Sequence, residues 1–167
     1  MAAPTVSTWV PISEIGLNQQ IDINSATKKY DIGKTVTCRD MGTNSRGEAK
    51  FRYAGGLDDT AVGEVVVFDG DITLRAVARS KGPVGVAMSA CLTGEYGWYQ
   101  VTGKARVVAG TLSDNKQAYL TATPGSIDET VVTGDHINGM RCTTAADTGY
   151  AIVMMNHPAV ADIDDSA

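Results

Sequence analysis

The chain has 167 residues, a net charge of −5 and only 6% aromatic residues, so it suits one domain, extended at most by arms, with a real core. The acidic balance and the scatter of Arg52, Arg75, Arg79 and Lys81, with only Lys28 and Lys29 adjacent, leave out the phosphate-neutralising stripe that nucleic-acid binding needs. No apolar run approaches the ~20 residues of a membrane-spanning helix, and the first eight residues, MAAPTVST, lack the basic start and apolar stretch of a signal peptide.

Residues 1–30 read as an extended N-terminal arm. They sustain neither a helical period nor strand alternation, and Pro11, Gly16 and Asn18 crowd the one turn that Ile12, Ile15 and Leu17 could seed. Yet Trp9, Val10, Ile12, Ile15, Ile21 and Ile23 are too apolar for a freely solvated tail. Either the arm packs on its own body or it lies on a neighbouring subunit. The second placement makes Trp9, Val10, Ile12, Ile15 and Ile21 partner contacts. Trp98, flanked by Gly97 at a strand entrance, joins them, since Trp is enriched in interface hot spots.

Residues 31–158 carry the punctuation of an all-β body, a small barrel or sandwich. The 18 glycines exceed the ~7% share typical of proteins and fall between short β-branched runs. Thr35–Arg39 is the first strand expected. Glu48–Ala54 alternates, with Ala49, Phe51 and Tyr53 on one face and Glu48, Lys50 and Arg52 on the other. Glu64–Phe68 runs into an Asp69-Gly70 turn, and then Ile72, Leu74, Ala76 and Ala78 alternate with Thr73, Arg75 and Arg79, which predicts a hairpin. Val84, Val86 and Met88 mark another strand. Next comes the most regular segment: Tyr99, Val101, Gly103, Ala105 and Val107 face one way, and Gln100, Thr102, Lys104 and Arg106 the other. That is a half-buried strand with one wet face. Gln117–Ala122, a Pro124-Gly125 turn, Val131-Val132 and His136–Cys142 follow. Tyr150–Met155 is apolar on both faces and reads as a central, covered strand. Residues 159–167, with Asp162, Asp164 and Asp165, read as a short acidic C-terminal tail.

The catalytic motifs fall short of their chemistry. Asp147-Thr-Gly149 matches the aspartic-protease tripeptide, which needs two carboxylates sharing a proton. One copy would demand a symmetric dimer, and Ala145-Ala146 lacks the large apolar lead-in, so a β-turn is expected. Gly33-Lys-Thr35 ends a phosphate-binding loop whose first Gly would fall at Lys28. The run from Gly42 to Gly47 puts two residues, not one, between Gly42 and Ser45, unlike a nucleophile elbow. His136 and His157 lack the short ligand spacing of zinc sites, so neither a metal nor another cofactor is expected. Cys38, Cys91 and Cys142, odd in number and far apart, read as small core hydrophobes of a protein assembled in a reducing compartment. What remains is interaction chemistry. Trp98 and Tyr99 could alternatively form the stacking platform of a carbohydrate- or receptor-binding module.

Several runs also carry a family resemblance. They are Gly47-Glu-Ala-Lys-Phe-Arg-Tyr53, Thr60-Ala-Val-Gly63, Val65-Val-Val-Phe-Asp69 and Gly82-Pro-Val-Gly-Val-Ala-Met-Ser89. Tyr96-Gly-Trp-Tyr-Gln-Val-Thr-Gly103, Tyr119-Leu-Thr-Ala-Thr-Pro-Gly125 and Asn156-His-Pro158 extend it. With them the chain resembles the head decoration (capsid cement) proteins encoded beside the major capsid gene of tailed bacteriophages. The likeness covers most of residues 35–158 and rests on turn-and-strand texture; the arm and the acidic tail do not match. It implies a β-rich body and a homotrimer or larger cluster bound to the major capsid protein on the outer surface of the virion. It also implies no enzymatic activity, and the reduced cysteines and missing signal peptide suit assembly in the host bacterial cytoplasm.

Overall fold

A computed structural model describes residues 7–161. Residues 1–6 of the expected arm and the acidic residues Asp162, Asp164 and Asp165 lie outside the described residues. The described chain is all-β: strands β1 (Trp9–Pro11), β2 (Thr35–Asp40), β3 (Glu48–Gly56), β4 (Val65–Asp69), β5 (Ile72–Arg75) and β6 (Gly82–Ala87) form its first half. The second half comprises β7 (Tyr96–Gln100), β8 (Thr102–Val108), β9 (Gln117–Leu120), β10 (Ile127–Asp128), β11 (His136–Asp147) and β12 (Tyr150–Val160).

Five strands close into a barrel. β3 pairs parallel with β5, β5 antiparallel with β4, β4 with β6, β6 with β7, and β7 returns to β3. Closure removes the exposed edges that a short open sheet would present. Inside the barrel stand Ala54, Val66, Phe68, Ala87 and Tyr99, with Val101 at its end. The Phe68 and Tyr99 rings meet edge to face at 5.9 Å. Gly85 makes room for them, because a Cβ there would lie 2.9 Å from the Phe68 ring. Thr73 also points into the barrel, fully buried, and its hydroxyl donates to the Gly55 carbonyl at 3.2 Å. The polar side of the expected alternation is therefore barrel interior at Thr73, while Leu74 packs on the outer core. The hairpin itself is as expected, one residue later: Asp69 pairs with Ile72 around Gly70, whose φ is 60°.

A second sheet, β8-β12-β11-β9-β10, joins the barrel where Ala159 and Val160 pair with Pro83 and Gly82 of β6. Its inner face buries Ala105, Val107, Met140, Val153 and Met155 against Val65, Val67, Val84 and Val86 on the outside of the barrel. The single strand expected over Tyr99–Val107 is broken at Val101, with β7 in the barrel and β8 in the second sheet. Gln100 is buried at this corner and its amide donates to the carbonyls of Thr102 and Lys104, both at 2.9 Å. Gly103 has φ 85° and faces the Glu48 carbonyl so closely that no side chain fits.

The loop from β2 to β3 is organised by Asp40. It is buried, and its carboxylate accepts from the backbone N–H groups of Gly42 (3.0 Å) and Arg46 (3.1 Å). Burial alone would raise its pKa. Hydrogen bonds from Thr8, Gly42 and Arg46 and the Arg46 charge nevertheless hold it below the ordinary carboxylate value.

Two outcomes follow from this packing. Trp98→Ala and Trp9→Ala should each lower unfolding stability by about 3–5 kcal/mol in urea titrations, because each leaves a cavity among packed rings. Asp40→Asn should cost about 1–3 kcal/mol at neutral pH through lost charge-assisted hydrogen bonds. Since the folded-state pKa is depressed, that stabilisation is present above the unfolded value near 4 and lost as pH falls through the folded value. The gap between parent and variant should therefore close as the titrations are carried below about pH 4.

Candidate interaction surface

The segment from Trp9 to Tyr30 is laid over the outer face of β3 and β7. Ala49, Phe51 and Tyr53 alternate outward from the barrel there and, with Trp98, form an aromatic wall that needs covering. Trp9 meets Phe51 edge to face at 4.9 Å, and the Tyr30 ring lies 5.4 Å from Tyr53 and 5.3 Å from Trp98. Gln19 joins the polar edges: its carbonyl accepts the Trp98 indole N–H at 3.0 Å and its Oε1 accepts the Tyr53 hydroxyl at 2.8 Å. Its Nε2 donates to the carbonyls of Ile23 and Tyr96 at 2.7 and 2.9 Å. Nothing in the sequence marked Gln19, because its role depends chiefly on Tyr53, Tyr96 and Trp98, 34 to 79 residues away.

This arrangement corrects part of the expected contact set. Trp9 is 5% exposed, and Ile21 and Trp98 are fully buried, all in the chain's own core. Within this chain they are already covered. The physical reason is that their aromatic and β-branched surface finds cover on β3 and β7 first. Val10, Ile12 and Ile15 sit on the other side of the same segment, at 47%, 49% and full exposure. Val10 lies on β1, which pairs with β2 through Trp9, Val10 and Pro11. The expected stacking platform is likewise absent, since Trp98 and Tyr99 both lie inside.

The motifs weighed for catalysis are structural. Asp147 pairs with Tyr150 across Thr148 (φ 51°) and Gly149 (φ 83°), the two positive φ values of a tight hairpin turn, and Asp147 is exposed at its tip. Gly33 has φ 85° and donates its N–H to Tyr53, leading into strand β2 rather than a helix. Among the described residues, no group of His, Cys, Asp and Glu is placed to hold a metal ion. His136 lies beside the Tyr119 ring, and its Nε2 is 3.3 Å from Gln117 Oε1. All three cysteines are free and buried. Burial, with a smaller contribution from Glu14, pushes the Cys38 thiol up to about 11; burial also raises Cys91 and Cys142. Such thiols are poor nucleophiles.

The outer face of the second sheet is the other feature of note. β12 alternates: Ala151, Val153 and Met155 point into the core, whereas Ile152 is half-buried and Met154 is 42% exposed. The strand is central, between β8 and β11, but it is covered on one face only. Across the outer face Lys104 stands opposite Met154, Arg106 opposite Ile152, and Arg141 opposite Met154 from the other side. The Arg106 guanidinium stacks on the Tyr150 ring at 3.4 Å. A shallow cleft bordered by Thr8, Ser45, Arg46, Lys104, Arg106 and Ile152 adjoins this face. The alternation of Lys104 and Arg106 was legible in sequence; that Ile152 and Met154 share their face was not.

No family model matches the chain, and no curated protein matches it. Among solved structures the chain is similar to the head fiber gp8.5 N base of bacteriophage phi29, with a TM-score of 0.50 at 13% identity, over 66% of this chain and 96% of that one. At that identity the likeness is one of fold.

Proposed function

We propose that this chain is a non-enzymatic structural protein of a tailed-phage virion, a decoration protein seated on the outside of the head. It binds the major capsid protein across subunit boundaries and does so as a homotrimer or larger cluster. The observation that carries this reading is the shared fold with a phage head fiber base, which spans nearly all of that base. The strand-and-turn resemblance to capsid cement proteins over residues 35–158 points the same way. So does the chemistry of the surface: exposed apolar side chains on a rigid β body, buried inert thiols, and a carboxylate at Asp147 that serves a turn. Val10, Ile12 and Ile15 are the contact residues assigned to the capsid, because they remain exposed after the N-terminal segment has covered its own barrel.

A ligand that binds only the assembled shell stabilises it by linkage, and many weak contacts over a lattice add up through avidity. Heads with and without the protein should therefore differ in outer density by electron microscopy and in the temperature at which they release DNA. The triple variant Val10→Ser/Ile12→Ser/Ile15→Ser should keep the parent's Tm, since these side chains are solvated, yet occupy fewer sites on heads. Outer density without any gain in heat resistance would favour a fiber base over a cement. Absence of density on heads would sink both.

A further inference from the structure

We propose that copies of this chain associate head to tail, the outer face of β8-β12-β11 in one copy seated on the acidic end of the barrel in the next. This deepens the clustering part of the function proposed above and rests on it only for its setting on a virion.

The first observation is the pattern of β12. Its residues are apolar on both faces, the mark of a strand covered on both sides, yet within this chain Ile152 is only half-buried and Met154 is 42% exposed. The second is the charge around them. Lys104 makes no ion pair or side-chain hydrogen bond among the described residues. Arg106 is held on Tyr150 with no carboxylate, and Arg141 Nε donates only to the Asn115 carbonyl, at 3.0 Å. The nearby acids are already occupied: Asp40 pairs with Arg46 at 3.4 Å, and Glu48 with Arg39 at 2.5 Å. Asp147 stands at the far hairpin tip, beyond Tyr150. In a chain of net charge −5 this face is a local surplus of positive charge around an apolar centre.

The complement is at the end of the barrel where β3 stops and β5 and β7 begin. Leu57 and Leu92 are 46% and 51% exposed there, held together by the Thr93 hydroxyl, which donates to the Leu57 carbonyl at 2.5 Å. Around them stand Asp58, Asp59, Asp71 and Glu95. Asp58 accepts from the Arg75 backbone N–H, Asp59 from Thr93, and Glu95 from the Leu92 backbone N–H and Asn24; these neutral donors leave the negative charges uncompensated. Of the cations at this end, Arg52 is stacked on Phe68 at 4.5 Å and bonded to the Gly70 carbonyl, and Lys28 lies beside Asp71 and Glu95. Acid still predominates.

An apolar centre rimmed by cations thus faces, in a second copy, an apolar centre rimmed by carboxylates. Opposite rims steer encounter and fix register, while the apolar centres supply the burial. Repeated head to tail from copy to copy, such a contact closes into a ring or runs on as an open chain. A ring of three copies is the closed form that matches the homotrimer proposed above. The 57–63 loop links the two surfaces, with Gly63 packed against the β8 backbone at Arg106.

Sedimentation equilibrium of the purified full chain at about 50 mM salt, where screening is weak, tests this directly. The parent should populate a three-copy species that weakens by about tenfold or more as salt is raised. Lys104→Glu/Arg106→Glu and Asp59→Lys/Asp71→Lys should each run as monomers with near-parental Tm, and an equimolar mixture of the two should associate again. A parent that is monomeric throughout, reversal variants that associate like the parent, or a mixture that stays monomeric would overturn the proposal. If Lys104→Glu/Arg106→Glu keeps the parent's mass in solution but loses binding to heads, the basic face meets the capsid instead and self-pairing through it is refuted. Loss of self-association with head binding intact would support the contact named here and leave the capsid reading standing.

Discussion

The structure depends on covering the aromatic wall that β3 and β7 turn away from the barrel. Phe51, Tyr53 and Trp98 cannot stay in water at tolerable cost, and two of them carry polar atoms that burial would orphan. The segment from Trp9 to Tyr30 meets both demands at once. Its apolar residues Trp9, Leu17 and Ile21 supply the cover, and Gln19 partners the indole and the phenol. An extended peptide without regular secondary structure is suited to this, because its backbone and side-chain polar groups are free to meet scattered partners. The same residues that make the segment too greasy for a tail thus anchor it on its own body.

Rigidity follows from how the barrel and the second sheet are joined. The chain leaves the barrel at Gln100, whose buried amide holds the corner, and enters the sheet at Thr102. It returns at the end of β12, which pairs with β6. With valines of β4 and β6 shared between the two layers, the outer face of β8, β12 and β11 stands on a fixed base. The backbone of such a face has little further freedom to lose on contact, which favours association.

The functional reading rests on what these surfaces can do. Several of the groups considered as catalysts have a structural occupation: Asp147 turns a hairpin, the cysteines fill cores, and His136 packs beside Tyr119. The exposed features are of the kind that bind other macromolecules. On one side are Val10, Ile12 and Ile15; on another, the cation-rimmed sheet face; at the barrel end, the acid-rimmed leucines. A protein built to bridge neighbours on a lattice needs several such surfaces, each modest, on one stiff body.

Local patterning in the sequence determined the all-β class, the buried apolar faces of β3 and β8, the Asp69–Ile72 hairpin and the turn at Asp147. Each depends on period-two alternation or on glycine where φ is positive, and both are properties of a few adjacent residues. Tertiary structure alone decided the rest. Thr73 looked solvent-facing but lies within the barrel, because closing five short strands turns one face of each toward a common axis. Tyr150–Met155 looked covered on both sides, yet on its outer face Ile152 is only half-buried and Met154 is exposed. Trp9, Ile21 and Trp98 were separated from Val10, Ile12 and Ile15 only by packing. Apolar character tells that a side chain needs cover, but which surface provides it is a matter of partners far along the chain.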